Sequence, residues 1–215
     1  VHDPSIYKAD GMYYVFSTDV KFGDQPQPGI QIRKSTDLIN WEWVGHALEG
    51  VPSEAKEWTD ATNLWAPDVT KFNDKYYLYY VASQFGTNQS FIGVATSDSP
   101  EGPWQDQGEV LKTKKGDIPN ALDPNIIYDR KDNPWLVFGS FFGGIYISRL
   151  NKNNGKLLNK NKRKLIARRP QSVDGAVEGP YIIYNSEFDK YYLFVSYGSL
   201  FSNYNVRVGR ADSVT

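Results

Sequence analysis

The sequence predicts an all-β chain folded as a β-propeller, and three observations predict it. An acidic residue beside a proline, or one residue removed from it at Glu178, opens the same kind of segment four times. The acidic residues, Asp3, Asp68, Asp123 and Glu178, lie 65, 55 and 55 positions apart. Each is followed by a hairpin of aromatic and β-branched residues, in a chain that is 15% aromatic. Self-similarity at a period of roughly 40 to 50 residues or somewhat more is the sequence sign of propeller blades. Aromatic runs suit sheets that stack face to face.

The expected blades cover residues 1–50, 65–110, 121–166 and 177–215 of a single domain. Blade one begins His2-Asp3-Pro4-Ser5-Ile6-Tyr7, turns through Lys8-Ala9-Asp10-Gly11 and returns as Met12-Tyr13-Tyr14-Val15-Phe16-Ser17. Residues 19–29, rich in Gly, Pro and Gln, read as a loop. Ile30-Gln31-Ile32-Arg33-Lys34-Ser35 alternates as a third strand, and Glu42-Trp43-Val44 gives a short outer fourth. Residues 50–63 read as a second long loop. Blade two repeats the scheme from Trp65-Ala66-Pro67-Asp68, with Phe91-Ile92-Gly93-Val94-Ala95-Thr96 as its third strand. Blade three starts at Leu122-Asp123-Pro124-Asn125, and its basic run, residues 160–164, reads as a solvated loop. Blade four starts at Val177-Glu178-Gly179-Pro180-Tyr181 and, laid on blade two, reaches Thr215 in the turn before an outer strand. A further chain segment is therefore expected to complete the ring, because unclosed blades leave a sheet face and edge without a neighbour.

Composition narrows the partners. The 24 Lys and Arg balance 25 Asp and Glu, leaving a net charge of −1, so neither nucleic acid nor an anionic membrane is an expected partner. There is no cysteine, hence no disulfide framework and no thiolate chemistry. No apolar run reaches the roughly 20 residues of a membrane helix, and no signal peptide is present in these residues. A neutral partner fits best.

First strands of propeller blades line the axis, so the four carboxylates are expected to converge at one mouth of the channel. Taken singly, each reads better as a turn residue whose oxygen accepts backbone N–H groups. Crowded together, they favour one protonated and one ionised group. Glycoside hydrolysis needs that division of labour. Glu178, with the longer reach and an apolar setting, is the candidate acid, and Asp3 the candidate base. Trp65, Phe85 and Phe142 are candidates to stack on a sugar face, against the alternative that each belongs to the core.

The segments His2-Asp3-Pro4-Ser5, Trp65-Ala66-Pro67-Asp68-Val69, Leu122-Asp123-Pro124-Asn125 and Val177-Glu178-Gly179-Pro180-Tyr181 resemble the signatures of glycoside hydrolase family 43, a family of five-bladed propellers. Ser83-Gln84-Phe85-Gly86, Gly139-Ser140-Phe141-Phe142-Gly143-Gly144-Ile145 and Ser202-Asn203-Tyr204-Asn205-Val206-Arg207-Val208-Gly209-Arg210 are most similar to its α-1,5-L-arabinanases. The resemblance implies an inverting hydrolase of α-1,5-linked L-arabinan or arabino-oligosaccharides, with endo or exo action left open. It implies Asp3 as general base, Glu178 as general acid and Asp123 as a third carboxylate that orients the acid and keeps its pKa raised. Asp68 has no catalytic counterpart and is assigned to structure. Inversion implies base and acid carboxylates roughly 6.5–9.5 Å apart.

The chemistry implied requires no cofactor. The family's axial histidine lies in a fifth blade, so no metal ligands are assigned in this chain, and a structural calcium or other ion on the axis is left to the complete ring. His2 is expected beside Asp3 and His46 at the surface. The implied partner is plant cell-wall arabinan or its oligosaccharides, met outside the cell or in a periplasm, or in the cytoplasm if the substrates are short. Two alternatives stand beside this reading: a β-xylosidase or α-L-arabinofuranosidase of the same family, and a non-catalytic glycan-binding propeller. Fold alone does not choose between them.

Overall fold

The computed structural model describes residues 1–22, 25–170 and 175–215. Its strands form four antiparallel sheets in chain order, the blades of a β-propeller. Blade one contains β1 (Ser5–Ala9), β2 (Met12–Ser17), the two-residue pair β3 (Lys21–Phe22) and β4 (Gln25–Pro26), then β5 (Gln31–Ser35) and β6 (Glu42–His46). Its sheet order is β1-β2-β5-β6, with β3 and β4 forming a separate small ribbon. The loop expected over residues 19–29 thus carries this ribbon, and residues 23–24 of that expectation lie outside the described residues. Blade two is β7 (Trp65–Phe72), β8 (Lys75–Ala82), β9 (Ser90–Ser97) and β10 (Gln105–Thr113). Blade three is β11 (Asn125–Tyr128), β12 (Pro134–Phe138), β13 (Ile145–Arg149) and β14 (Lys164–Ala167). Blade four is β15 (Val177–Asn185), β16 (Lys190–Tyr197) and β17 (Asn205–Ala211).

The core lies between blades, as stacked sheets require. Phe16 and Ile32 of blade one meet Leu78 and Tyr80 of blade two in one cluster. Tyr79, Val81 and Ile92 meet Ile126, Leu136 and Phe138 in a second. Val137, Ile145 and Ile147 meet Val177, Ile182 and Val195 in a third. Side chains alternate across a strand, so neighbours such as Tyr79 and Tyr80 serve opposite interfaces of one blade.

Two expectations need correction. Residues 50–63 are not all loop, because α1 (Ser53–Thr59) follows Pro52, buries Ala55 and Thr59, and ends at Asp60 with φ 55°. Its seven residues are too few for helical periodicity to show in the sequence. Trp58 fastens it to blade two through an Nε1–H bond of 2.9 Å to the Thr113 carbonyl. His46 is half-buried, with its ring edge-on to Trp43 at 5.1 Å, and burial lowers its pKa.

A set of side-chain hooks joins blades near the axis. Ser5 Oγ accepts the Val69 N–H (3.1 Å) and donates to Asp68 Oδ1 (2.9 Å). Asp68 Oδ2 accepts the Ile126 N–H at 2.6 Å and Asn125 Nδ2 at 3.4 Å. Asn125 Oδ1 accepts the Ile182 N–H at 2.8 Å. Ser5, Asp68 and Asn125 each follow a proline, and each receives a backbone N–H from the next blade's first strand. Buried backbone donors must find acceptors, and these hooks supply them where no sheet can.

Candidate active site

The prolines set the register of the repeat. Pro4, Pro67, Pro124 and Pro180 are each preceded by a residue of positive φ: Asp3 (46°), Ala66 (36°), Asp123 (54°) and Gly179 (58°). All four carboxylates line one cleft, as expected, but the recurring corner shows that they do not occupy equivalent positions in the repeat. Asp3 and Asp123 share one position, Asp68 stands two residues later, and Glu178 one residue before it. In blades two and four the corner is a register shift, between Trp65 and Asp68 and between Glu178 and Tyr181. Bulges of this kind re-aim side chains beside functional sites.

Because of its register, Asp68 is only 6% exposed and its oxygens are taken by the interblade hooks. Burial pushes its carboxyl up to about 7. It is a structural residue, as assigned from the sequence.

Asp3, Asp123 and Glu178 all line one cleft of about 1630 Å³. Asp3 Oδ2 accepts Thr18 Oγ1 at 2.6 Å and meets His2 Nδ1 at 2.7 Å. Thr18 Oγ1 in turn accepts the Ala66 N–H at 2.8 Å, tying Asp3 to the neighbouring blade's corner. Among the described residues no hydrogen bond falls on Asp3 Oδ1. The next residue, Asp19, is buried and accepts the N–H groups of Gly29 (2.9 Å), Ile30 (2.8 Å) and Leu64 (2.8 Å). Burial pushes its carboxyl up to about 6. Asp19 thereby anchors the segment that carries Thr18.

Asp123 Oδ2 accepts the Gly179 N–H at 2.9 Å, beside Glu178. Burial, reinforced by the charges of Glu178 and Asp3, pushes the Asp123 carboxyl up to about 8 against the lowering effect of that N–H. Glu178 Oε2 accepts Ser140 Oγ at 2.9 Å. Tyr204 also lines the cleft, with its hydroxyl against Ser196 and Glu178, and burial with the nearby carboxylates pushes the phenol up to about 12. Close carboxyl groups with one held protonated near neutral pH suit proton transfer to and from a bound ligand.

Trp65, Phe85 and Phe142 line the same cleft. Phe85 is 75% exposed and Phe142 42%, which removes the core alternative for both. Trp65 is half-buried and also packs on the second core cluster. Phe142 sits in the turn after β12, where Gly139 and Gly144 approach closely. A Cβ on Gly139 would stand 2.3 Å from the Gly144 carbonyl oxygen, and one on Gly144 would stand 2.4 Å from that of Ala167. Residues not singled out in the sequence complete the cleft, among them Thr18, Phe141, Arg168, Phe201 and Tyr204. Ser140 and Tyr204 stood inside the segments that carried the resemblance. Thr18 had no signal, since its partner Asp3 is 15 residues away. Among the described residues no three His, Asp or Glu side chains converge as a metal shell.

A family model for glycosyl hydrolases family 43 matches residues 1–215. The chain is 38% identical to an extracellular endo-α-(1→5)-L-arabinanase of Thermotoga petrophila, covering 99% of this chain and 49% of that protein. It is 34% identical to an extracellular exo-α-(1→5)-L-arabinofuranosidase of Cellvibrio japonicus, covering 100% of this chain and 65% of that protein. The structure of a Cellvibrio cellulosa α-L-arabinanase complexed with arabinohexaose superposes with a TM-score of 0.87 at 34% identity, covering 100% of this chain and 71% of that one. The likeness puts the four blades in the five-bladed propeller class expected from the sequence. The chain spans about half to two-thirds of the length of these two curated relatives.

Proposed function

This chain belongs to glycosyl hydrolases family 43, and from that premise we propose that it carries the catalytic groups of an arabinanase, hydrolysing α-1,5-linked L-arabinan or its oligosaccharides with inversion. One observation carries the reading: Asp3, Asp123 and Glu178 share a cleft with exposed Phe85 and Phe142. In this reading Asp3 is the general base. Thr18 and His2 hold its Oδ2, which leaves Oδ1 to take a proton from the attacking water. Glu178, held by Ser140, is the general acid that protonates the departing sugar oxygen. Asp123 orients that acid from the adjacent corner through the Gly179 N–H, and its raised carboxyl keeps a proton within the cluster near neutral pH. Phe85, Phe142 and Trp65 stack on arabinofuranose faces while polar groups meet the hydroxyls.

The relatives named above are extracellular, and we extend that to this chain: its substrate is met outside the cell. Among the described residues no helix is long and apolar enough to cross a membrane. Reducing-sugar release from linear 1,5-α-arabinan tests the proposal. Glu178→Ala is expected to lower turnover by roughly 10²–10⁴-fold, the usual contribution of a general acid. Proton NMR of the first turnovers is expected to show the inverted β-anomer. Undiminished hydrolysis by the variant would overturn the assignment, and product lengths separate endo from exo action.

A further inference from the structure

We propose that Asn120 is a positioning residue for Glu178, acting through Ser140; this rests on reading Glu178 as the general acid. A line of buried polar groups leads from blade two to the acid. Ser83 Oγ lies 2.8 Å from Ser90 Oγ, and Ser90 Oγ donates to Asn120 Oδ1 at 2.7 Å. Asn120 Nδ2 donates to the Ser140 carbonyl at 3.2 Å, and Ser140 Oγ donates to Glu178 Oε2 at 2.9 Å. The four residues between are 3%, 0%, 1% and 6% exposed in the order Ser83, Ser90, Asn120, Ser140.

Proton counting fixes the direction of the line. Ser90 has one hydroxyl proton and gives it to Asn120, so Ser83 is the donor to Ser90. The carboxamide cannot flip, because its oxygen must face a donor and its nitrogen a carbonyl. The residues flanking Ser140 are pinned as well. Gly139 N–H reaches the Leu122 carbonyl (2.7 Å) and Phe141 N–H the Val177 carbonyl (2.9 Å), the residues just before Asp123 and Glu178. Asn120 supplies the donor for the carbonyl between them. The Ser140 carbonyl and the Phe141 N–H are the two edges of one peptide group, so Asn120 and the Val177 carbonyl together fix that plane and, with it, the direction of the hydroxyl on Glu178. Four buried polar side chains cost desolvation that apolar ones of the same shape would avoid. A connected polar network gives rigidity in return, and this one ends on the carboxylate whose direction decides proton delivery.

The test compares two substrates in Asn120→Ala and in the smaller perturbation Ser90→Ala, within the protein that carries this chain. Linear arabinan has a sugar alcohol as leaving group and needs the acid. A 4-nitrophenyl α-1,5-arabino-oligosaccharide releases a phenolate without protonation. Asn120→Ala is expected to lower kcat on arabinan about tenfold, part of the general-acid contribution, with KM and aryl-glycoside turnover within about twofold. Ser90→Ala is expected to give the same pattern at about threefold, and it decides the matter if the first variant does not fold. Equal losses on both substrates would indicate a merely structural role and overturn the proposal, as would unchanged arabinan turnover in a folded Asn120→Ala. A crystal structure of either variant gives a readout independent of activity. Glu178 displaced from Ser140 Oγ supports the proposal, and the 2.9 Å contact retained overturns it. A parent protein inactive on both substrates would count against the arabinanase reading alone.

Discussion

Replacing Asp68 tests how the blades are held together. In Asp68→Ala the Ile126 N–H and the Asn125 amide lose their acceptor in a buried site. Two orphaned donors at about 1–3 kcal/mol each amount to roughly 4 kcal/mol. That is a large part of the 5–15 kcal/mol typical of a domain. Asp68→Asn keeps an oxygen for Ile126 and Asn125 and turns its amide toward Ser5 Oγ, so about 1 kcal/mol is expected at pH 7. The pH dependence follows from the same site. The folded carboxyl is pushed up to about 7 from 3.8, so the native state binds the proton more tightly than the unfolded chain. Its contribution is fully present below about pH 4 and is lost as pH rises through about 7. The asparagine cannot titrate, so the parent's advantage over Asp68→Asn should shrink across that window. Urea denaturation at pH 4, 5.5 and 7 measures both effects. An alanine variant within 1 kcal/mol of the parent, or an advantage over asparagine that grows with pH, would refute the reasoning.

Two further outcomes are expected at the cleft. Phe85, 75% exposed, contributes little to folding, so Phe85→Ala should leave the melting temperature unchanged and raise KM for arabinan about threefold to tenfold, the worth of one stacked ring. Thr18→Val removes both the 2.6 Å bond to Asp3 and the acceptor for the Ala66 N–H. Steady-state kinetics should show kcat lowered about tenfold, equivalent to ~1.4 kcal/mol, with KM unchanged.

The blades were legible because their hairpins are long aromatic runs, as in Tyr76-Tyr77-Leu78-Tyr79-Tyr80, and because the repeat gives four chances to see them. Sheet membership and strand order follow from that local pattern. Asp3, Asp123 and Glu178 could be picked out because each adjoins or nearly adjoins a corner proline. Their supposed equivalence with Asp68 was misleading, since charge recurs less faithfully here than the proline does. Aligning Pro4, Pro67, Pro124 and Pro180 would have separated Asp68 from the others and pointed to its pairing with Ser5 and Asn125. The supporting groups were hidden for a different reason. Thr18, Ser140 and Asn120 act across 15, 38 and 20 residues of chain, and their partners become neighbours only when blades stack. The short α1 left no periodic trace, and Trp58 declares its role only through a carbonyl 55 residues away.

The positive-φ corner before each proline has a consequence for how such a molecule can change. The backbone there takes the same bend whether it bears aspartate, as at Asp3 and Asp123, a methyl group, as at Ala66, or only hydrogen, as at Gly179. The bend is a socket whose shape comes from the blade and whose occupant is interchangeable. The hooks one step beyond the proline keep the blades aligned and are not interchangeable in that way, because backbone donors depend on them. In blades one and three chemistry and architecture thus sit two residues apart, at Asp3 and Ser5 and at Asp123 and Asn125, and a chain built like this can exchange its reactive groups blade by blade while the ring beneath them stays as it was.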